Sequence, residues 1–376
     1  MTKIQELLNK DTNNIYNKFD RVELKVLDEL YNYYNSDIND DKRKQKEKRF
    51  YPLVKYIIYD NTLDLEVLIG GTKYNKDNFD IFIDDRIEHF YNMIRRSIKY
   101  ALKKGFEVPN TILYIWISDR YPWYSDYDNR FPIYVASKPT NSNYLLIPDN
   151  TFECLTMSEK YRGMCSNWKH VKKIIIDECG KTKFNNKINK IYFKGTSTTK
   201  KNSQIREKLE IYSNNNKWLD VKLDAWKSFT SIENFCKYKF LLNLPGHFPW
   251  SNRFKYLFLM NSVVINVDLH SYSLEGKFNE LAWQTVINYI VEPNKHYINI
   301  EMNYYFSKEN VEEMNRLNKI EFDKVVNQLD VIYKYKDNVL NDIVTNGYNR
   351  VRKLKQKHIH MYIYNCIIQN SKVNFV

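Results

Sequence analysis

Two short stretches of this 376-residue chain carry the residue types that hold a phosphate. In the first, residues 239–244 form an apolar run that reads as a buried strand, ended by Pro245 and Gly246. Ser251 stands where a helix N-cap belongs, Phe254, Leu257 and Phe258 follow at helical spacing, and Val263, Val264, Ile265 and Val267 form a β-branched strand. Strand, loop, helix and strand in that order belong to a parallel sheet, whose ligands lie beyond the carboxyl ends of its strands. His247, Ser251, Asn252 and Arg253 fall at that edge. An arginine in the first turn of a helix, beside free backbone N–H groups, suits an anionic phosphate; a surface arginine on a loop is the plainer alternative.

The second stretch repeats the pattern. A strand over 190–194 ends at Gly195, followed by Thr196, Ser197, Thr198 and Thr199, and then by a helix over 203–212 bearing Arg206. Glycine lets the backbone approach a ligand, while Lys194 and the hydroxyls donate to phosphate oxygens. Alone this is an ordinary Ser/Thr-rich loop. Two basic strand ends in one half of the chain make a shared pyrophosphate site the better reading.

These edges need a scaffold, and the apolar pattern supplies an α/β one. Residues 1–50 read as helical, 51–70 as one or two strands, and 84–104 as a helix with Ile87, Phe90, Met93, Ile94, Ile98 and Leu102 on one side. Strands follow at 111–117, 133–136 and 144–147, then, in the second half, at 190–194 and 219–222. From 308 onward the pattern is almost all helical. Residues 180–189 are polar and aperiodic, which places a boundary between an N-terminal α/β domain over 1–180 and a C-terminal one over 181–340. A helical segment, 341–376, is expected to pack back on the first domain.

Composition narrows the function. Lysine and arginine exceed acids by 13, yet they are scattered, the densest run being DKRKQKEKR at 41–49. That allows an anionic ligand without implying nucleic acid, so no nucleic-acid partner is expected. With 43% apolar residues the chain is no disordered polymer. GxGxxG and GxxxxGK[ST] do not occur, which disfavours nicotinamide and P-loop enzymes. The five cysteines are odd in number, widely spaced and without metal-ligand spacing, which reads as a reducing compartment. The first twenty residues hold no apolar signal core, and no stretch has the length of a membrane helix. A soluble, cytoplasmic protein is therefore expected. Asp126 and Asp128 form a D-x-D that reads as a solvated loop, and the acids at 77–85 as a helix cap. Trp116, Trp123, Trp226 and Trp250 can stack on a sugar or a base, or fill core.

The motifs YFKGTST at 192–198, CKY at 236–238 and RFKYLFL at 253–259, followed by SVV at 262–264 and by His296 with Tyr297, resemble glycosyltransferase family 90. Weaker likenesses precede them: Ser118 to Pro122, Ser137 with Lys138, and the P-x-x-T-F turn at 148–152. The resemblance covers roughly residues 85–350. It implies a GT-B fold, two Rossmann-like domains facing a cleft, with a UDP-sugar donor held mainly by the C-terminal half. It implies inversion at the anomeric carbon, no metal, no cofactor beyond the co-substrate, and transfer of glucose or xylose to a hydroxyl of a protein or glycan. Donor-binding residues on this reading are Lys194, Gly195, Thr196, Ser197, Thr198, Arg206, Gly246, His247, Ser251 and Arg253. The family's base is an Asp just before a Tyr-Pro or Trp-Pro step. This chain has Asp119-Arg120-Tyr121-Pro122 where the family more often has Arg-Asp-Tyr-Pro, and a slip of one residue makes Asp119 the base. Arginine cannot take that role. The same order keeps a second possibility open, an inactive module of this fold that binds nucleotide-sugar or glycan.

Overall fold

The computed structural model describes Ile4, Glu6 and residues 53–67, 81–117, 132–156, 165–197, 204–224, 232–246, 250–277 and 279–372. The helices expected over most of 1–50, Asp119, the D-x-D at 126–128, Thr198 and His247 lie outside the described residues. The chain divides into two compact units, one built from residues up to 138, 142–154 and from 355 on, the other from 139–141 and 155–354.

The first unit opens with β1 (Leu53–Tyr59) and β2 (Thr62–Val67), paired antiparallel. Asp60 and Asn61 both take positive φ, 46° and 62°, the conformation that a two-residue hairpin demands and that short Asp and Asn side chains tolerate. Next comes α1 (Ile81–Lys103), which buries Ile87, Phe90, Met93, Ile94 and Ile98 at helical spacing. Leu102, expected on that side, is exposed. β3 (Thr111–Trp116), β4 (Ile133–Val135) and β5 (Leu145–Leu146) complete a sheet of order β2-β1-β3-β4-β5, with β3, β4 and β5 parallel.

The second unit begins its helices with α2 (Trp168–Cys179), then alternates β6 (Ile188–Thr196), α3 (Ile205–Ser213), β7 (Leu219–Asp224), β8 (Tyr238–Asn243), α4 (Phe254–Leu257), β9 (Val263–Ser273), β10 (Asn279–Glu280) and β11 (Ile298–Phe306). β7, β6, β8, β9 and β11 lie side by side in that order, all parallel, and β10 pairs antiparallel with the far end of β9. Counted along the unit, the parallel strands run 2-1-3-4-5 across the sheet. Their order therefore reverses between β6 and β8, and a crevice opens at that point beyond the carboxyl ends. One sheet face buries Ile191, Phe193, Leu242, Ile265 and Ile300 against Leu209 of α3 and Val325 and Leu329 of α5 (Val311–Tyr333). α6 (Asp337–Arg352) closes the unit, and α7 (Gln356–Ser371) belongs to the first, where it packs on α1 and β3. There the buried Asn370 amide donates to Thr111 Oγ1 at 3.0 Å, and Tyr362 Oη to the Leu146 carbonyl at 2.8 Å. Among the described residues no helix is long and apolar enough to cross a membrane.

Two sequence expectations change. The helix expected from Ser251 is a single turn, α4, capped at Arg253 and followed by a 3-10 turn over Phe258–Met260. Every residue from Phe254 to Met260 is buried, so the segment lacks a polar face to extend along, and Asn261 ends it at φ 51°. Cys179 and Cys236, 57 positions apart, form a disulfide with Cα atoms 5.1 Å apart, and Cys154 is disulfide-bonded as well. That removes the cysteine argument for a reducing compartment, because spacing along the chain says nothing about distance in the fold.

Lys187 pins the start of β6. Its buried ammonium donates to the carbonyls of Cys236 and Met260 and to Ser262 Oγ, and burial lowers its pKa to about 8. The unfolded side chain titrates near 10.4, so the fold disfavours the charged form. Its cost is full below about pH 8 and vanishes as pH rises past the unfolded value. Wild-type stability in urea should therefore rise between pH 8 and 10 relative to that of Lys187→Met, and parallel curves would refute this. At Gly347 in α6 a Cβ would sit 2.4 Å from the His296 carbonyl oxygen and 3.1 Å from the Phe258 ring. Gly347→Ala should cost about 1–3 kcal/mol, read from denaturant unfolding.

Candidate functional site

The crevice at the strand reversal is lined by cations held on backbone. Arg206, in the first turn of α3, is 6% exposed. Its Nη1 donates to the Thr196 carbonyl at 2.9 Å, at the end of β6, and its Nη2 to the Leu244 carbonyl at 3.3 Å, just past β8. One guanidinium thus ties the two strand ends on either side of the reversal. Its Nε–H is buried and has no hydrogen-bond partner among the described residues. Arg253 donates from Nη1 to the Lys194 carbonyl at 2.7 Å. Both guanidinium carbons lie over the Phe193 ring, at 5.0 Å for Arg206 and 5.2 Å for Arg253, and Arg253 also lies 5.1 Å from the Phe235 centroid.

Gly195 makes this close packing possible. A Cβ there would meet the Phe193 ring at 2.9 Å and come within 3.5 Å of Arg253 Nη2. Ser197 Oγ donates to Glu207 Oε1 at 2.5 Å, so that acid is engaged by a hydroxyl. Among the described residues, no carboxylate stands at ion-pair distance from either arginine. Burial, and then the Arg253 charge, pull the Arg206 pKa down to about 9, and burial pulls that of Arg253 to about 10. Arginine keeps its proton in proteins, so both guanidiniums stay charged although burial strips them of water, and an anion would stabilise them. A diphosphate fits that need in charge and in its capacity to take several N–H donors.

Of the expected donor-binding residues, the structure brings Lys194, Gly195, Thr196, Arg206 and Arg253 together at this edge. Ser197 follows directly, and Ser251 accepts the Arg253 backbone N–H at 3.4 Å. Gly246 is fixed by an N–H to the Trp250 carbonyl at 3.0 Å. The helix that follows Ser251 is short, α4 being only four residues long. Tyr297 is buried against Phe254 at 5.2 Å, and His296 Nδ1 accepts the Glu292 N–H, so this pair shapes the unit from behind. In the first unit Trp116 is core and Asp149 caps the 148–152 turn.

Sequence reasoning missed a second element. Asn243, Asn266 and Asp268 line a solvent-open cleft together with Trp250, Ser251, Trp283 and Thr285. The signal was present as polar residues ending otherwise apolar strands, LLN at 241–243 and VVINVD at 263–268. It missed also that Phe193 and Phe235 seat the arginines.

Comparison with known proteins agrees with this geometry. No curated protein matches the chain. The family model described as Glycosyl transferase family 90 matches residues 112–369, which takes in β3, the whole crevice and nearly all of α7. Members of that family transfer sugar from a nucleotide-sugar donor to an acceptor. With its motifs at the strand reversal and the match spanning most of its length, the chain belongs to glycosyl transferase family 90.

Proposed function

We propose that this chain is an inverting, metal-independent transferase that moves glucose or xylose from a UDP-sugar to a hydroxyl of a protein or glycan. The observation that carries the proposal is the pair of guanidiniums at the strand reversal, with no carboxylate at ion-pair distance among the described residues. In a single displacement the acceptor oxygen attacks the anomeric carbon. The bond from that carbon to the β-phosphate oxygen breaks, and the electron pair leaves on UDP. Arg253 and Arg206 supply the charge that stabilises the leaving diphosphate, the part a divalent cation plays elsewhere. A carboxylate takes the acceptor's proton. Asp119, which follows β3 in the sequence, is the residue we assign to it, on a GT-B plan. The Cys179–Cys236 disulfide supports an oxidising site of action.

Calorimetric titration of UDP tests the donor edge. A hydrogen bond to a charged group contributes about 1.5–3 kcal/mol, so Arg253→Ala should weaken UDP about tenfold to a hundredfold, with Arg253→Lys in between. The loss should shrink at high salt. UDP bound equally by wild type and Arg253→Ala, with both folded by near-ultraviolet circular dichroism, would place the diphosphate elsewhere.

A further inference from the structure

The cleft beside the arginines has the opposite chemistry from them. β8 and β9 pair Asn243 with Asn266, and β9 and β11 pair Asn266 with Asn299. Alternation along a strand puts these residues and Asp268 on one face, opposite the core formed by Leu242, Ile265 and Ile298. Asn243 Nδ2 donates to Asn266 Oδ1 at 2.6 Å, and Asn266 Nδ2 donates to Asp268 Oδ1 at 2.6 Å and to Asn299 Oδ1 at 3.0 Å. Asn299 also hydrogen-bonds the Asp268 carboxylate. Both amide N–H groups of Asn266 and one of Asn243 are thus spent within the file, and the Asp268 carboxylate gives the cleft its acceptor capacity.

Asn243 is only 6% exposed, and its Oδ1 is buried with no hydrogen-bond partner among the described residues. Asp268 retains lone pairs beyond those its two amide partners use. Such a floor repels phosphate and asks for a ligand that brings O–H donors. A buried acceptor left unsatisfied is costly, and a hydrogen bond from a ligand hydroxyl relieves that cost. Trp283 forms part of the wall, an aromatic surface suited to the C–H face of a sugar ring. Ser251 lines the same cleft and lies two residues from Arg253, so the acceptor floor adjoins the cationic edge. A cation-lined edge beside an acceptor-lined floor complements a molecule with phosphate at one end and ring hydroxyls at the other.

We propose that the cleft is a hydroxyl subsite, in which Asp268 and Asn243 accept hydrogen bonds from neighbouring hydroxyls of a sugar ring on the bound donor. This rests on the nucleotide-sugar reading of the arginine edge and assigns further residues to that same ligand. The shared chemistry is a ring diol, and it has two sources, the ribose of the nucleotide or the sugar to be transferred.

The test is calorimetric titration of UDP and of UDP-glucose into the full chain, its Asp268→Asn and Asn243→Ala variants, and Arg253→Ala as the reference for the phosphate edge. Asp268→Asn keeps shape and removes charge, so its melting temperature should hold or rise; a residue kept only for the fold would lower it when changed. Tenfold or greater weakening in Asp268→Asn, and a smaller loss in Asn243→Ala, is the expected result. Equal losses for both ligands assign the diol to ribose, and a loss for UDP-glucose alone assigns it to the transferred sugar. Wild-type affinity for both ligands in both variants, with Arg253→Ala still impaired, would overturn the subsite and leave the donor edge standing. A wild-type chain that binds neither ligand would overturn the donor reading and the subsite with it.

Discussion

A buried arginine that spans two strand ends organises the second unit's functional edge. Arg206 joins the carbonyls of Thr196 and Leu244 across the place where the strand order reverses, and it can do so only because β6 and β8 are neighbours with β7 displaced outward. A guanidinium in that position loses hydration and gains carbonyl dipoles and the Phe193 ring face in return. Arg253, held on the Lys194 carbonyl and over the same phenyl ring, adds a like charge nearby. The arrangement is one that the proposed diphosphate would stabilise. Gly195, Phe193 and Phe235 follow from this one constraint, because the chain must leave room for two guanidiniums against an aromatic seat.

Polarity then changes sign within one edge of the sheet. Cations gather where β6 ends and acceptors gather where β8 and β9 end. In a parallel sheet every strand delivers its carboxyl end to the same side, so residues far apart in sequence share one rim. Asn243 and Asn266 are partners by register, and their alternation with Leu242 and Ile265 leaves one strand face apolar and the other hydrogen-bonded.

How much of this was legible in the sequence depends on what sets each feature. The strands at 239–244 and 263–267, and the helix bearing Arg206, are local apolar patterns, and the structure has Tyr238–Asn243, Val263–Ser273 and Ile205–Ser213. The basic residues at the ends of those strands were legible for the same reason. That Arg206 bridges two strands was not, because it depends on lateral strand order, which no spacing encodes. Asn243 and Asp268 were passed over because a polar residue ending an apolar strand reads the same whether it faces solvent, core or ligand; only register and parity decide. The overlong helix after Ser251 came from apolar residues at helical spacing in a segment that is apolar all round. The Cys179–Cys236 pairing joins α2 to the turn before β8 and leaves no mark at short range.

Turnover tests the central claim most directly. The purified chain would be incubated in EDTA with UDP-glucose and UDP-xylose, followed for UDP release, and compared with Asp119→Asn. The account predicts that one donor releases UDP without added metal and that Asp119→Asn abolishes the release while still binding UDP. Binding of UDP with no release from either donor, in the presence of protein or glycan acceptors, would contradict it and leave an inactive nucleotide-sugar-binding module of the same family.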